Sequence, residues 1–431
     1  MLIRFEVSNY RSISAPAELS MVAIDRDRPE ARFQPLLGES LLPIAAIFGA
    51  NASGKSNLIS AYTWLQEAIF SSLREWDDGI PIEPFAFGNN PEKPSEFSVE
   101  YMINGVRFEY VLELNSEKVI YEALFHYPEK KRRRVFERDG DDFKLQRGLG
   151  TLSGTRELLT DRTLAVSIAR RSDEPLVTGF VNKVLRSQTL GLTPHRPRIL
   201  GGWGTRLGYG RAARQRSTIR YFEEPDQPSL FEGSNDPDLR NTPREQALAL
   251  LRLADLGIDD VMIDEVAYPD AREPRNQRRV RLVHQTAGAR TPLDFAVESE
   301  GTRTWFNLIG PVLTALRYGS LLLFDELDAS LHPTLSAQLI QLFHDPVTNP
   351  LGSQIVFTSH DTSLLNHLNR DEVWLTNKNA DGSTTLGALA DFAGERVRKS
   401  QNLENAYLHG RFGALPQVDQ TELLRALGLI G

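Results

Sequence analysis

Alternation of apolar and polar residues marks the strands in the first part of the chain. Residues 1–13 alternate in this way, which predicts a half-buried strand. Two longer alternating runs flank Asn-Gly at 104–105, and this dipeptide between such runs predicts a β-hairpin over 97–114. The same reasoning gives further strands at 119–127 and 134–138, and a polar, Pro-containing loop at 25–40.

A different pattern surrounds the apolar run 44–48. A Gly-rich turn follows it, and then apolar residues recur at steps of three and four from Leu58 to Leu73, which predicts a strand, a turn and a helix. Residues 191–242 are rich in Gly, Arg, Pro and Asp, so we expect an irregular or partly mobile insertion there. The remaining pattern predicts helices at 151–190, 244–257, 304–318 and 333–343, and strands at 258–266, 279–284, 321–324 and 354–358.

Composition places the chain among ordinary globular proteins. Its hydrophobic fraction is 41% and its charged fraction is 25%. Its length of 431 residues is enough for two or three domains. The absence of cysteine excludes disulfides, thiolate catalysis and Cys-ligated zinc. No run of 18 apolar residues and no signal-peptide layout is present, so we expect a cytoplasmic protein without a membrane span.

Charge is distributed unevenly along the chain. The net charge of −8 gives no global attraction to nucleic acid. Basic residues nevertheless cluster at 130–134, 195–220 and 272–290, with acidic stretches between them. Such clusters are either solvated faces or contacts to nucleic acid, and the sequence leaves both interpretations open.

The turn after the strand at 44–48 carries the first candidate chemistry. Residues 49–56 read Gly-Ala-Asn-Ala-Ser-Gly-Lys-Ser, a GxxxxGK[ST] match, which we call the phosphate loop. Gly49 and Gly54 allow backbone N–H groups to turn inward, and the helix that follows points its positive end at the bound anion. Lys55 can reach the β- and γ-phosphates of a nucleotide, and Ser56 can ligate Mg²⁺.

A second candidate motif, with two acidic residues, follows a strand predicted to be buried in the last third of the chain. Residues 321–326 read Leu-Leu-Leu-Phe-Asp-Glu, the Walker B pattern. Asp325 would lie in the Mg²⁺ ligand shell, and Glu326 would polarise the attacking water as general base. In isolation, a strand end with two solvated acids explains the motif equally well.

Three further motifs resemble those of ABC-type ATPases. Residues 327–333 resemble the D-loop, Ser299-Glu-Gly301 resembles the signature motif at a helix N-terminus, and His360 resembles the H-loop histidine. Alone, Ser299 would be an ordinary helix N-cap and His360 a structural histidine. Their order after the phosphate loop favours the ABC-type class over kinases and GTPases, which have no use for the signature and D-loop.

This resemblance implies a fold and a site. The fold is α/β: an ABC-ATPase head with a mixed sheet around the phosphate loop, an antiparallel β subdomain, and a helical or irregular insertion in place of a coiled coil. The implied cofactors are ATP and Mg²⁺, with each ATP shared between two copies of the chain. The implied residues are Glu326 and His360 for catalysis; Arg11, Gly49, Asn51, Gly54, Lys55, Ser56, Asn57, Ser299, Gly301 and Asp328 for nucleotide binding; and Ser56 and Asp325 for the metal.

Two stretches narrow the resemblance within this superfamily. Asn-Tyr-Arg-Ser at 9–12, with Asn51 and Asn57, resembles the SMC, RecF and OLD-like branch. Residues 398–416 look like the tail of RloA/AbiLi-type anti-phage or abortive-infection ATPases. The stretch after His360 contains no Asp-x-Asp, and a Toprim nuclease domain needs on the order of 100 residues. We therefore expect no nuclease centre in this chain, and a separate effector.

The resulting hypothesis is a dimeric or higher-order ATPase that senses nucleotide state in prokaryotic anti-phage defence. It would control a partner such as a Toprim-like nuclease or a toxin, with DNA or a phage-derived molecule as trigger and no membrane involved. The alternative is a RecF- or SMC-like DNA-repair ATPase that binds DNA directly. We divide the chain into an N-terminal ATPase lobe (1–150), a helical and Gly/Arg/Pro-rich insertion (151–257), a C-terminal ATPase lobe (258–390) and a helical tail (391–431).

Overall fold

The structure is a computed structural model, and it describes residues 1–152, 154–192, 211–223, 242–268, 275–286, 288–329, 331–393, 403–408 and 425. Most of the 195–242 segment and most of the 391–431 tail lie outside these residues, and of the stretch 398–416 only residues 403–408 are described. Residues 272–274 of the third basic cluster are also outside. Among the described residues, no helix has both the length and the apolar character needed to cross a membrane.

Eighteen strands and ten α-helices are assigned in the part of the chain that the structure describes. The strands are β1 (Leu2–Ser8), β2 (Ala17–Ser20), β3 (Arg32–Gln34), β4 (Glu39–Leu41), β5 (Ile44–Gly49), β6 (Ser95–Ile103), β7 (Val106–Leu114), β8 (Val119–Tyr127), β9 (Arg133–Asp139), β10 (Asp142–Leu145), β11 (Gln188–Leu190), β12 (Ile258–Tyr268), β13 (Arg275–Thr286), β14 (Ala289–Asp294), β15 (Leu321–Phe324), β16 (Gln354–Thr358), β17 (Val373–Lys378) and β18 (Thr384–Ala388). The helices are α1 (Lys55–Glu75), α2 (Thr155–Leu158), α3 (Ala165–Ala169), α4 (Pro175–Leu185), α5 (Arg211–Glu223), α6 (Pro243–Ala254), α7 (Glu300–Tyr318), α8 (Pro333–His344), α9 (Leu389–Ala393) and α10 (Leu403–Leu408).

The chain forms two compact units. One, which we call the discontinuous unit, consists of Leu2–Val181 and Val356–Gly431; the other, the central unit, consists of Asn182–Ile355 together with Met1. The predicted α/β fold, with a mixed sheet and an antiparallel β region, is confirmed. The four-segment division made from the sequence stays a prediction.

The discontinuous unit contains an antiparallel sheet beside the strand that carries the phosphate loop. Seven strands lie in the order β10-β9-β8-β7-β6-β1-β2, and the β6–β7 hairpin turns at Asn104-Gly105, as the alternation predicts. Helix α1 buries Leu58, Tyr62 and Leu65, and the Tyr62 ring meets the Phe5 ring of β1 edge-on at 5.3 Å. Strand β5 runs parallel to β17, which pairs antiparallel with β18.

The central unit is organised around helix α7. Its apolar face buries Trp305, Phe306 and Ile309, and the Phe306 ring stacks on Phe222 of α5 at 6.0 Å. The indole nitrogen of Trp305 donates to the Leu250 carbonyl of α6 at 2.6 Å. Strand β11 runs parallel to β15, and β12, β13 and β14 form a separate antiparallel sheet.

Helix α7 also contains a deviation from regular helical hydrogen bonding. The Thr218 hydroxyl of α5 donates to the Phe306 carbonyl at 2.7 Å and accepts from the Gly310 N–H at 2.9 Å. A side-chain hydroxyl thus lies between two backbone groups that pair directly in a regular helix. Pro311 follows at once, and a Cβ on Gly310 would lie 2.5 Å from the Thr218 nitrogen, so the Gly-Pro pair fits this close approach of α5.

Three expectations from the sequence are wrong in part. The 25–40 segment contains the short β3–β4 hairpin, because Gly38 at φ 78° closes a turn that alternation does not signal. The 151–190 region ends in strand β11 rather than in helix, because Gln188–Leu190 pair with β15. Within 191–242, residues 211–223 form a helix, which is stabilised by packing on α7 rather than by its own polar sequence.

Candidate functional site

The phosphate loop occupies the turn between β5 and α1 in the discontinuous unit. Strand β5 is buried along its whole length, so the loop begins from a fixed point. Gly54 has φ 98°, a conformation that disfavours any residue with a Cβ, and it is the N-cap of α1. No side chain caps this helix and its first turn contains no acid. The first turn of α1 therefore contains no carboxylate of its own and no side-chain cap that would compete with an anionic ligand for its N–H groups.

Lys55 is buried and lies folded over this loop. Its ammonium donates to the carbonyls of Gly49 at 2.8 Å and Ala50 at 3.0 Å, and lies 3.5 Å from Nδ1 of His360. The structure thus brings two of the predicted site residues, Lys55 and His360, together within one unit. Asn51, at the tip of the loop, is exposed, and Ser56 is half-buried in the first turn of α1.

Asn57 and Arg11 have protein partners in this structure. The Asn57 side chain donates to the Ser12 hydroxyl at 2.6 Å. The Arg11 guanidinium donates to the hydroxyl of Ser60, one turn of α1 beyond the phosphate loop, at 2.7 Å. It also donates to the Glu83 carboxylate at 2.8 Å. Arg11 itself has φ 50°, and this left-handed conformation directs the chain out of β1.

Asn9, two residues before Arg11, has a structural role. It is buried at φ 48°, its amide donates to the carbonyls of Asn90 and Lys93 at 2.8 and 2.9 Å, and its side-chain oxygen accepts from the Phe85 N–H at 3.0 Å. These bonds satisfy backbone groups of the irregular segment before β6. Asn9, the first residue of the Asn-Tyr-Arg-Ser motif, therefore stabilises the segment before β6.

Asp325 and Glu326 directly follow strand β15 in the central unit. Strand β15 is fully buried, Asp325 is buried, and its N–H donates to the Leu190 carbonyl of β11 at 2.9 Å. Glu326 is exposed and has φ 55°, which is unfavourable for a residue with a side chain. Among the described residues, Glu129 is a second exposed glutamate with positive φ, at 54°, so the conformation alone does not assign a function to Glu326. Asp328 lies half-buried in the turn that follows.

Gly191 also shapes this region, although no sequence motif predicted it. It has φ 84°, and a Cβ built on it would lie 1.9 Å from the Asp325 carbonyl oxygen. The backbone that presents Asp325 and Glu326 therefore needs a glycine at the end of β11. The only signal in the sequence is a Gly directly after an apolar residue, which is too common to be informative.

Ser299 caps the N-terminus of α7. Its hydroxyl oxygen accepts from the Thr302 N–H at 3.1 Å and lies 2.8 Å from the Thr302 hydroxyl. Gly301 is half-buried in the first turn. Just before the cap, Glu298 pairs with Nε2 of His284 on β13 at 2.9 Å. This pair ties the segment that begins α7 to the three-stranded sheet of the same unit.

No group of three or more His, Asp and Glu side chains that could hold a metal ion exists among the described residues. The site predicted from the sequence does not need one, because Mg²⁺ bound with a nucleotide takes one or two protein ligands, phosphate oxygens and water. Ser56 and Asp325, the two metal ligands predicted from the sequence, carry oxygen atoms of the kind that this ion prefers.

A known family matches most of the chain. The family described as "AAA domain, putative AbiEii toxin, Type IV TA system" matches residues 44–178 and 187–366, more than half of the sequence. The chain belongs to this family. The matched residues include the phosphate loop, Ser299, Asp325, Glu326 and His360, and exclude Arg11. The protein is therefore an ATP-binding P-loop ATPase.

Three solved structures of SMC head domains are also similar to the chain. The SMC head domain from Thermotoga maritima is 12% identical, covering 90% of this chain and 98% of its own, with a TM-score of 0.42. An SMC head bound to the C-winged helix domain of ScpA is 11% identical (91% and 99% covered, TM-score 0.41). A head with an extended coiled coil, bound to the C-terminal domain of ScpA derived from Pyrococcus furiosus, is 10% identical (90% and 97%, 0.41).

Similarity at this level indicates nothing about the function of the chain. No curated protein matches the sequence.

Proposed function

We propose that the protein binds and hydrolyses Mg²⁺-ATP as an ABC-type ATPase, and that its nucleotide state controls a separate effector in prokaryotic anti-phage defence. The observation that carries the first part is the phosphate loop. It combines a left-handed Gly54, an α1 N-terminus without a side-chain cap and a buried Lys55 directed at the loop carbonyls. Lys55 would exchange these carbonyls for the β- and γ-phosphates of ATP.

Hydrolysis is assigned to the acids after β15. In this proposal Asp325 and Ser56 would hold Mg²⁺, and the ion would supply the positive charge that neutralises the phosphates. Glu326, exposed at the end of a buried strand, accepts a proton from the attacking water. His360 contacts the γ-phosphate, as the resemblance to ABC-type ATPases implies, and its position 3.5 Å from the Lys55 ammonium supports this assignment.

Dimerisation is assigned to Ser299, Gly301 and Asp328. A serine hydroxyl has one proton and two lone pairs, so Ser299 can accept from the Thr302 N–H and still donate to a phosphate. In the proposal that phosphate belongs to ATP bound by a second copy of the chain. ATP is then part of the interface, and its binding stabilises the dimer by mass action.

The role in defence is supported by two facts of different kind. The description of the matching family includes a toxin and a toxin–antitoxin system. The sequence of residues 398–416 resembles the tail of RloA/AbiLi-type ATPases. We therefore propose that the effector is a separate chain, such as a Toprim-like nuclease or a toxin, and that a phage-derived molecule or DNA triggers it.

Direct DNA clamping, as in RecF- or SMC-like repair, is the second candidate, and the surface charges of the central unit weigh against it. Six of its arginines lie within 3.3 Å of a carboxylate: Arg244, Arg252, Arg278, Arg279, Arg281 and Arg290. Each of these arginines would have to exchange its carboxylate for a phosphate before it could contribute to DNA binding.

Lys55→Ala tests the phosphate loop directly. Loss of the charged contacts to two phosphates should weaken ATP binding on the order of 100-fold, measured by calorimetry. Lys118→Ala, which removes an exposed lysine of the same unit, is the matched control and should bind ATP as the wild type does. Unchanged ATP affinity in Lys55→Ala would contradict the assignment of this loop.

The defence role needs an experiment in cells. Cells that carry the gene with its neighbouring open reading frames should reduce phage plaque counts, and the Lys55→Ala version should not. Equal protection by the Lys55→Ala version would show that defence does not depend on nucleotide binding.

A further inference from the structure

Two threonines of the β17–β18 hairpin contact the phosphate loop. Thr376 of β17 lies 2.6 Å from the Ser53 hydroxyl, measured between the two side-chain oxygens. Thr384 of β18 donates its hydroxyl to the Ser53 carbonyl at 2.8 Å. All three residues are buried. The hairpin thus holds Ser53, in the middle of the loop, by both its side chain and its backbone.

The direction of these hydrogen bonds is fixed because each threonine hydroxyl donates its one proton to a backbone carbonyl. Thr376 donates to the Phe48 carbonyl at 3.2 Å, so its oxygen must accept the proton of Ser53. Thr384 donates to the Ser53 carbonyl, so its oxygen must accept the proton of Ser12, 2.7 Å away. The Asn57 amide donates to the Ser12 hydroxyl, which in turn donates to the Thr384 hydroxyl. Each hydroxyl therefore has one role that an apolar group cannot fill.

The glycines of the phosphate loop fit against the same two threonines. A Cβ on Gly49 would lie 2.3 Å from Oγ1 of Thr376, and one on Gly54 would lie 2.1 Å from Oγ1 of Thr384. Real Cβ atoms do not approach other atoms so closely, so the hairpin itself excludes side chains at both positions. The shape of the loop is thus set by the hairpin as well as by its own sequence.

We propose that Thr376 and Thr384 are positioning residues for nucleotide binding: they hold the phosphate loop in its binding conformation without touching ATP. This inference rests on the proposed ATP-binding role of residues 49–56. A loop held in its bound shape before the ligand arrives loses less conformational entropy on binding, and this raises affinity. Losing either threonine should therefore weaken ATP binding more than it affects the chemical step.

Thr384→Val is the most direct test. Valine has the shape of threonine, but it puts a methyl group 2.8 Å from the Ser53 carbonyl and leaves the Ser12 proton without an acceptor. We expect the dissociation constant for ATP and the KM to rise about 3- to 10-fold, the loss of one or two buried hydrogen bonds, with kcat changed less than twofold. Thr376→Val should behave in the same way. Thr384→Ser, which keeps the hydroxyl, should restore wild-type affinity.

Thr385→Val is the matched control, because Thr385 is the neighbouring residue of β18 and its side chain is exposed. It should leave the affinity for ATP unchanged. The melting temperature without nucleotide is recorded for every variant, together with its increase on adding saturating ATP. A merely structural role for Thr384 would lower the melting temperature of Thr384→Val while the folded protein binds ATP normally, and that result would overturn the inference.

The two levels of the proposal fail in different ways. If the wild-type protein does not bind ATP, the proposed function fails. If the wild type binds ATP and loses affinity in Lys55→Ala, but Thr376→Val and Thr384→Val bind like the wild type, only the positioning role is wrong.

Discussion

Glu326 is the residue that we propose as the general base. Its φ of 55° costs on the order of 1 kcal/mol, and the exposed carboxylate follows a fully buried strand. Glu326→Gln keeps the backbone and removes the proton acceptor. We expect ATP turnover to fall about 10²- to 10⁴-fold while ATP still binds, with a closed dimer accumulating in light-scattering measurements.

Glu117→Gln is the control for this change, because it neutralises an exposed carboxylate in a loop of the discontinuous unit. It should turn over ATP at the wild-type rate. Normal turnover by Glu326→Gln would remove Glu326 as the general base.

Gly191 gives a second prediction at this scale. Gly191→Ala puts a methyl group 1.9 Å from the Asp325 carbonyl, so the backbone that presents Asp325 and Glu326 must shift. We expect ATP turnover to fall at least about tenfold, since a displacement of 1 Å in a catalytic group can cost 100-fold. Gly288→Ala is the matched control: Gly288 also has positive φ, at 90°, but has no atom within 4 Å of the added methyl group. Equal loss of turnover in both variants would mean that the unfavourable φ, and not the contact with Asp325, causes the loss.

Short motifs reveal residues that touch a ligand, but not the residues that support them. The GxxxxGK[ST] spacing and the apolar run before Asp325 name their own members. Thr376, Thr384 and Gly191 support these motifs from positions remote in sequence, and nothing in their own neighbourhoods distinguishes them from other threonines and glycines. Their roles follow from hydrogen bonds and close contacts, which only the fold provides.

The geometry of helix α7 depends on a neighbouring helix, α5. The Thr218 hydroxyl joins the Phe306 carbonyl to the Gly310 N–H, and Thr218→Val would leave both buried backbone groups unpaired. We expect the free energy of unfolding to fall by about 1–3 kcal/mol, measured by denaturant titration. Thr218→Ser should restore most of it, because serine keeps the hydroxyl. If Thr218→Ser is as unstable as Thr218→Val, packing rather than hydrogen bonding explains the loss.

Local periodicity predicted the elements that have a strong pattern of their own. The β6–β7 hairpin, helix α1 and the buried strands β15 and β16 agree with it closely. Helix α7 begins at Glu300 rather than at 304, because Ser299 is its N-cap. Strand β11 and helix α5 were not predicted, since three residues give no period and α5 is mostly polar. Both are stabilised by partners distant in sequence, β15 and α7.

The stability of the whole protein should depend on the protonation of Glu122. This carboxyl is buried, accepts from the N–H groups of Ala165 and Val166 at 2.6 and 2.8 Å, and accepts from the Tyr110 hydroxyl at 3.0 Å. Burial raises its pKa above the ordinary value of 4.5 despite these bonds. The folded chain therefore binds this proton more tightly than the unfolded chain does. The stabilisation that results is complete below pH 4.5 and is lost as the pH rises through the folded pKa.

Glu122→Gln mimics the protonated form at every pH. The free energy of unfolding of this variant, minus that of the wild type, should increase as the pH rises from about 4 to 7. Glu117→Gln should show no such increase. A difference for Glu122→Gln that is independent of pH would mean that folding does not perturb this carboxyl.

The paired arginines of the central unit determine how the protein should behave towards DNA. With these six side chains already beside carboxylates, we expect no DNA binding that varies steeply with salt between 50 and 200 mM, measured by fluorescence anisotropy. A slope corresponding to several phosphate contacts would favour the DNA-clamp alternative. The basic clusters were visible in the sequence, but the pairing was not, because most of these arginines meet acids of other helices or strands that only the fold brings near.

The support of the phosphate loop by the β17–β18 hairpin has a consequence during protein synthesis. Ser53 and its partners Thr376 and Thr384 are separated by 323 and 331 residues. At about 5–20 residues per second, the ribosome delivers these threonines some 15–65 s after the loop itself. A nascent or prematurely terminated chain therefore contains the complete phosphate-loop sequence but lacks the hydroxyls that shape it. Firm ATP binding becomes a property of chains that have been translated through residue 384.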